Sequence, residues 1–518
     1  MSNSLFLDNL LTALYDPLEP IYLKSGGEMA VHGDCGITAM IPPIAPGNFG
    51  SKAFRKEFNL RFAYMAGAMV GGISSVTMVE ALAQADLLGV FGASGLAPEA
   101  VEDAVARLGK DLPGKSFGSC LIHTPQDPEL ERKIVDIYLK HKVSLVEASA
   151  FLQISPALVL YRLSGLRELP DGYIVAPNRI VAKCSRVELA RRFFSPPPEK
   201  IVKSLLENKL ITPSEAELSR YIPMAQDLTA EADSGGHTDF RPAITLWPSM
   251  LHLAEEYTRK FDYLQPLRVG AAGGLGTPAA LQVAQDMGCS YFVTGSINQS
   301  CVESGLSPRG KELLAKAGQT DVSAAPAADM FELGAKVQVL KYGTLFAPRA
   351  QKLAELYRSC AAPEDIPADE VQALEEKIFK KPLSEVWRET EEFFQKRDPA
   401  QLKKAENPKY KLALMFRWYL GQASRWAIAG NEERRADWAI FTGPSMGAFN
   451  EWAQGSHYED PSRRRVVDLA FNLLYGLAVL KRLTLARDLG LLPDDQMSTL
   501  KPLPPEQLAD YISINPNL

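Results

Sequence analysis

Residues 231–239 read E-A-D-S-G-G-H-T-D, between an apolar, strand-like run at 221–228 and a long helical stretch. Gly235 and Gly236 lack the Cβ atoms that would keep a ligand off the backbone. Their N–H groups can therefore point at an oxyanion such as a phosphate. Ser234 precedes them and His237 follows, which puts a group that titrates near neutral pH beside that position. Taken alone, the stretch also fits a tight turn with a capping histidine, and the sequence downstream decides. Residues 267–278, L-R-V-G-A-A-G-G-L-G-T-P, form a short buried strand ending in Gly273-Gly274, with a helix expected over 279–287. Residues 291–299, Y-F-V-T-G-S-I-N-Q, form another short strand ending in Gly295-Ser296. Three consecutive strand ends carry glycine, and one helix separates two of the strands. Such alternation with short links gives a parallel sheet, and in (β/α)8 barrels the last loops commonly build a phosphate site. No G-x-G-x-x-G opens a strand–helix unit, which argues against a dinucleotide-binding fold. A flavin mononucleotide on a TIM barrel fits better.

The other strands can be read upstream. The barrel begins at 62–69, F-A-Y-M-A-G-A-M, followed by Gly71-Gly72 and a helix over 76–85. Strand two is expected at 88–91 and strand three at 117–122, F-G-S-C-L-I. Strand four is expected at 142–149, and strand five at 179–186, R-I-V-A-K-C-S-R. Lys183 lies near the C-terminal end of strand five, where barrel enzymes place functional groups. A lysine in an apolar strand is costly to bury unpaired. Its cation either serves a cofactor, pairs with Glu147 or reaches solvent. His123 and His141 read as ordinary loop and helix-end residues. The crossover to strand six is long, with a helix over 199–208 and a start signal at Thr212-Pro213-Ser214-Glu215. The expected organisation is an N-terminal extension (1–60, irregular, with proline turns), the α/β barrel (61–301), a cap segment after strand eight (302–362) and a helical C-terminal region (363–518). An Ala/Pro-rich bend is expected over 323–328. Lys341 and Arg349 suit a solvated helix face or acidic groups of a substrate.

Composition sets outer limits. The chain has 518 residues, of which 46% are hydrophobic and 23% charged, and a formal net charge of −6. That is ordinary for a globular protein and gives no electrostatic reason to expect nucleic acid or an anionic membrane as partner. Six scattered cysteines without C-x-x-C spacing suggest reduced thiols in a cytoplasm, and no metal site. The runs 412–429 and 466–480 are interrupted by Arg417, Arg425, Asp468 and Asn472, so neither has the roughly twenty clean apolar residues of a membrane span. They read as buried helices, with a homodimer interface as one use for them.

The set A-D-S-G-G-H, A-A-G-G-L-G-T-P and T-G-S-I-N-Q resembles the flavin-dependent barrels of nitronate monooxygenases and bacterial enoyl reductases. With the helical tail and G-P-S-M-G-A-F-N-E-W at 443–452, the chain looks most like the PfaD-type trans-acting enoyl reductases of polyunsaturated-fatty-acid and trans-acyltransferase polyketide synthases. The resemblance covers nearly the whole chain. It implies that Gly67, Ala68 and Met69 lie along the flavin ring, and that Lys183 meets its N1–C2 carbonyl edge. Cys120 stands where such proteins usually carry an asparagine that reaches the flavin, which puts that one contact in doubt. Ser234, Gly235, Gly236, Gly273, Gly274, Gly295 and Ser296 would hold the FMN phosphate. The implied reaction is NADPH-driven reduction of an enoyl thioester on an acyl carrier protein, within a polyketide or fatty acid synthase. His237 is the candidate acid or hydrogen-bond donor and Lys183 the second catalytic candidate. Nitroalkane oxidation and a non-catalytic carrier-docking scaffold are the alternatives.

Overall fold

The computed structural model describes residues 3–25, 29–32, 34–125, 127–328, 330–493 and 500–512. Eight parallel strands close into a barrel: β1 (Tyr64–Ala66), β2 (Leu88–Phe91), β3 (Gly118–Ile122), β4 (Leu145–Ser149), β5 (Arg179–Cys184), β6 (Asp227–Glu231), β7 (Arg268–Ala272) and β8 (Phe292–Thr294). The strands are buried along nearly their whole length, as expected for a parallel sheet covered by helices. The ring is pinned at its base by Arg268, which forks onto both Asp227 oxygens at 2.6 and 2.8 Å. Several ring helices start on the signals the sequence carries. Ser75 accepts from the Met78 N–H and Thr277 from the Ala280 N–H, and Thr212 and Glu215 form a capping box.

Strand six is displaced from its expected position. Residues 219–221 form a 3-10 turn, and the strand is Asp227–Glu231, ending at the glycine loop itself. Asp227 is polar, but its pairing with Arg268 allows it to open a buried strand. The last expected strand is also shorter, because Ser296–Ser300 wind into a 3-10 turn. The N-terminal extension is not irregular. It has a helix (Asn3–Leu14), an antiparallel sheet of Ile21–Lys24, Met29–Ala30 and Ile37–Ile41, and a second helix (Lys52–Glu57). Leu10, Leu14, Ile21, Leu23 and Ile41 are all buried in the main core.

The segment after β8 folds back over the barrel mouth. The expected bend at 323–328 is largely strand: Val322–Pro326 pairs with Lys336–Leu340, which pairs in turn with Gly236–His237. A helical part follows with its own core around Phe416, Tyr419 and Phe379. Arg349 is not solvated, since it pairs with buried Asp437. Helix Val466–Asp488 then packs between the seventh ring helix, Pro278–Asp286, and the first, Val76–Gln84, so it takes the eighth helix position. Gly476 permits this approach: a Cβ there would stand 2.7 Å from the Pro278 Cβ. The apolar runs at 412–429 and 466–480 are thus largely covered within the chain. No helix among the described residues is long and apolar enough to cross a membrane.

Candidate active site

The C-terminal ends of the barrel strands surround a cavity of about 410 Å³. Gly67, Ala68 and Met69 enter its wall after β1, Cys120 from β3 and Lys183 from β5. The loop after β6 contributes Ser234, Gly235, Gly236 and His237. Gly273 and Gly274 follow β7, and Gly295 and Ser296 follow β8. Every residue singled out from the sequence as a site candidate therefore faces one space.

Lys183 is held between two carboxylates. Its Nζ lies 3.5 Å from Glu147 Oε1 and 3.3 Å from Glu231 Oε1. Burial alone would lower its pKa, but Glu231 and Glu147 outweigh that and raise it, so the ammonium is permanent. Glu147 is fully buried, and burial pushes its carboxyl up against the opposing pull of Lys183 and of the Ala68 N–H, which donates to Oε2 at 3.0 Å. This chain of contacts ties β1, β4, β5 and β6 together at the cavity floor. Glu147 and Glu231 carry more of the site than the sequence suggests. An isolated acid in a strand buried on both faces was the available signal. Burial likewise raises the Cys120 thiol, and its Sγ lies 3.2 Å from Ser94 Oγ.

The glycine loop is clamped rather than free. Gly236 and His237 pair in antiparallel register with Gln338 and Val337. Gln338 Nε2 donates to Asp233 Oδ1 and to the Ser234 carbonyl, both at 2.9 Å. A Cβ on Gly235 would stand 2.6 Å from Thr442 Cα, so only glycine permits this approach. The Gly443 N–H donates to Ser296 Oγ at 3.0 Å, and Ser445, at the start of helix Ser445–Ala453, joins the cavity wall. The glycine strand ends thus gather beside a short helix start, the arrangement in which barrels bind phosphate. Ser234 Oγ is buried with no hydrogen-bond partner among the described residues. A flavin phosphate fits this donor set.

Gly273 has φ +84°, and an added Cβ would meet the Ala232 carbonyl carbon at 2.6 Å. Gly274 has φ +78° with nothing within 4 Å. Gly273→Ala is therefore expected to cost roughly 2–4 kcal/mol, from left-handed strain plus overpacking, and Gly274→Ala only about 1–2. Urea titration of the two variants checks the difference, and equal losses would show that the backbone contact does not matter.

Residues 360–438 match the family described as acyl-carrier-protein S-malonyltransferase, inserted helical domain. The chain is 43% identical over 439 residues to the polyketide biosynthesis protein PksE of Bacillus subtilis, covering 84% of this chain and 57% of that protein. It is 40% identical over 501 residues to one of the polyunsaturated fatty acid synthase polypeptides of Thraustochytrium, covering 94% of this chain and 33% of the relative. The chain thus spans only part of the length of these relatives. Among solved structures it is similar to the enoyl reductase domain of MlnA from the macrolactin biosynthesis cluster of Bacillus amyloliquefaciens. That likeness has a TM-score of 0.82 at 36% identity and covers 85% of this chain and 99% of that domain.

Proposed function

Since the chain belongs to the PfaD-type enoyl reductases, we propose that it reduces the α,β double bond of enoyl thioesters carried by an acyl carrier protein, using FMN and NADPH. The observation that carries this reading is the convergence of an unpartnered serine hydroxyl, glycine strand ends, a caged ammonium and His237 in one cavity. FMN, when bound, would supply hydride transfer between a nicotinamide and the thioester Cβ. Ser234, Gly235, Gly236, Gly273, Gly274, Gly295 and Ser296 would hold its phosphate, and Gly67, Ala68 and Met69 its ring. Ser94 stands beside Cys120 and takes over the polar contact that a cysteine makes weakly. Lys183, fixed by Glu147 and Glu231, places a positive charge where negative charge develops. His237 donates a hydrogen bond to the thioester oxygen or a proton to Cα. Its backbone pairing with Val337 fixes where the imidazole starts from.

The test is the absorbance of the purified protein, offered FMN and kept without oxygen. Bleaching by NADPH and recovery on adding a crotonyl thioester is the expected result. Bleaching by a nitroalkane with NADPH inert would replace this reading with nitroalkane oxidation. A colourless protein that still binds a carrier protein would replace it with a docking scaffold. Ser234→Ala should weaken FMN binding by about ten-fold, the value of one charge-assisted hydrogen bond. Fluorescence titration of the apoprotein measures this, and an unchanged affinity would remove Ser234 from the phosphate site.

A further inference from the structure

Arg425 lies on helix Pro408–Ala429 and forms part of the cavity wall, exposed at the mouth. Arg397 ends helix Leu383–Arg397 and lines a small side cleft. That cleft shares Ser94, Gly95, Cys120 and Ile122 with the main cavity. Arg397 also lines an outer groove, together with Lys133, Lys396 and Phe393. Arg397 therefore stands between the groove and the side cleft, and Arg425 stands on the wall of the cavity that the cleft adjoins. Partial desolvation on the cavity wall, and next the charge of Arg397, lower the pKa of Arg425. Neither has a carboxylate partner among the described residues, and Arg397 rests over the Phe393 ring at 5.5 Å. Of the acids lining the groove and the side cleft, all but Glu129 are engaged, and Glu131 of the cleft is held by His123 and the Thr124 N–H. Glu389 meets Lys381 at 2.6 Å, Glu392 meets Arg388 at 2.9 Å, and Asp127 caps the Leu130 N–H at 2.9 Å. Exposed Glu129 lines the groove without an ion pair among the described residues. Guanidiniums without a carboxylate partner among the described residues are open to an anion, and guanidinium geometry matches a phosphate oxyanion.

We infer that Arg425 and Arg397 form a phosphate-ester site at the cavity mouth, which receives the phosphate of a co-substrate whose reactive end lies inside. The inference rests on the reductase reading for what that co-substrate is. Two sources share the chemistry: the phosphodiester of a 4′-phosphopantetheine arm and the ribose 2′-phosphate of NADPH. Either would then extend its reactive end, a thioester or the dihydronicotinamide beyond its pyrophosphate, past Ser94 and Cys120 into the cavity.

The test compares binding to the flavin-loaded protein within two pairs, 4′-phosphopantetheine against pantetheine and NADPH against NADH, by calorimetry. In at least one pair the phosphate-bearing member should bind about ten-fold more tightly. That ratio should fall towards one in both Arg425→Gln and Arg397→Gln, and should shrink as salt is raised. The pair that responds identifies the source of the phosphate. Ratios near one in the unmodified protein, or ratios unmoved by both substitutions, would overturn the inference. Flavin reoxidation by a crotonyl thioester reports the reductase reading separately. A phosphate preference without reoxidation would remove that reading and leave the arginine site standing.

Discussion

His237→Ala is expected to slow reoxidation of the reduced protein by an enoyl thioester by roughly 10²–10³-fold, the usual worth of a positioned proton donor. Flavin content should fall far less, because the position is held by backbone pairing with Val337 and by Gln338 bonding to Asp233 and Ser234. Stopped-flow absorbance separates the two half-reactions. Reduction by NADPH should change little beside reoxidation, since His237 is assigned to the thioester and not to the nicotinamide. Undiminished reoxidation at equal flavin content would move the proton donor elsewhere in the cavity.

Lys183→Met is expected to be the most destabilising single change at the cavity floor. It leaves Glu147, which has no exposed surface, without its ammonium partner. Breaking a buried pair from one side typically costs about 3–5 kcal/mol. Part of that loss is avoided when Glu147 takes up a proton, and this gives the prediction a pH signature. Burial already raises the Glu147 carboxyl, and loss of Lys183 raises it further. A carboxyl raised in the fold stays protonated there while the unfolded chain ionises above about pH 4.3. Unfolding then releases a proton, so stability declines as pH rises through this window. The variant should therefore lose more stability between pH 5 and pH 8 than the parent does. In the parent, Lys183 is protonated in both states across that range and adds no slope of its own. Denaturant titrations at the two pH values decide it, and equal slopes would mean that Glu147 is not the charge Lys183 holds.

The barrel and the cavity that gathers the candidate residues were legible in the sequence because glycine at strand ends is a local signal. Gly235, Gly273 and Gly295 each follow a short apolar run, and no long-range information was needed to see them. What escaped depended on partners far away in the chain. Asp227 reads as the end of a strand, and only the distant Arg268 fork makes it the beginning of one. The stretch 323–328 reads as a bend because alanine and proline hide its alternation, yet Val322–Pro326 pairs with Lys336–Leu340, which pairs in turn with Gly236 and His237. Ser445 and Arg425 reach the cavity from a region that reads only as helical tail. Ser445 lies in the motif at 443–452 and Arg425 interrupts the run 412–429, yet neither pattern says that its residue lines the cavity.

The position of helix Val466–Asp488 in the ring bears on how the polypeptide is made. Strand β8 leaves the ribosome early, but the helix that must cover the gap beside it is encoded far downstream. At ordinary elongation speeds the delay is on the order of ten to thirty seconds. Throughout that interval the nascent barrel exposes an uncovered apolar seam, between the Pro278 and Val76 helices, while the mouth-covering segment is still being synthesised. The chain is thus built so that the barrel cannot be sealed before its lid has been threaded. Any truncation that removes this helix therefore leaves the faces of the Pro278 and Val76 helices uncovered.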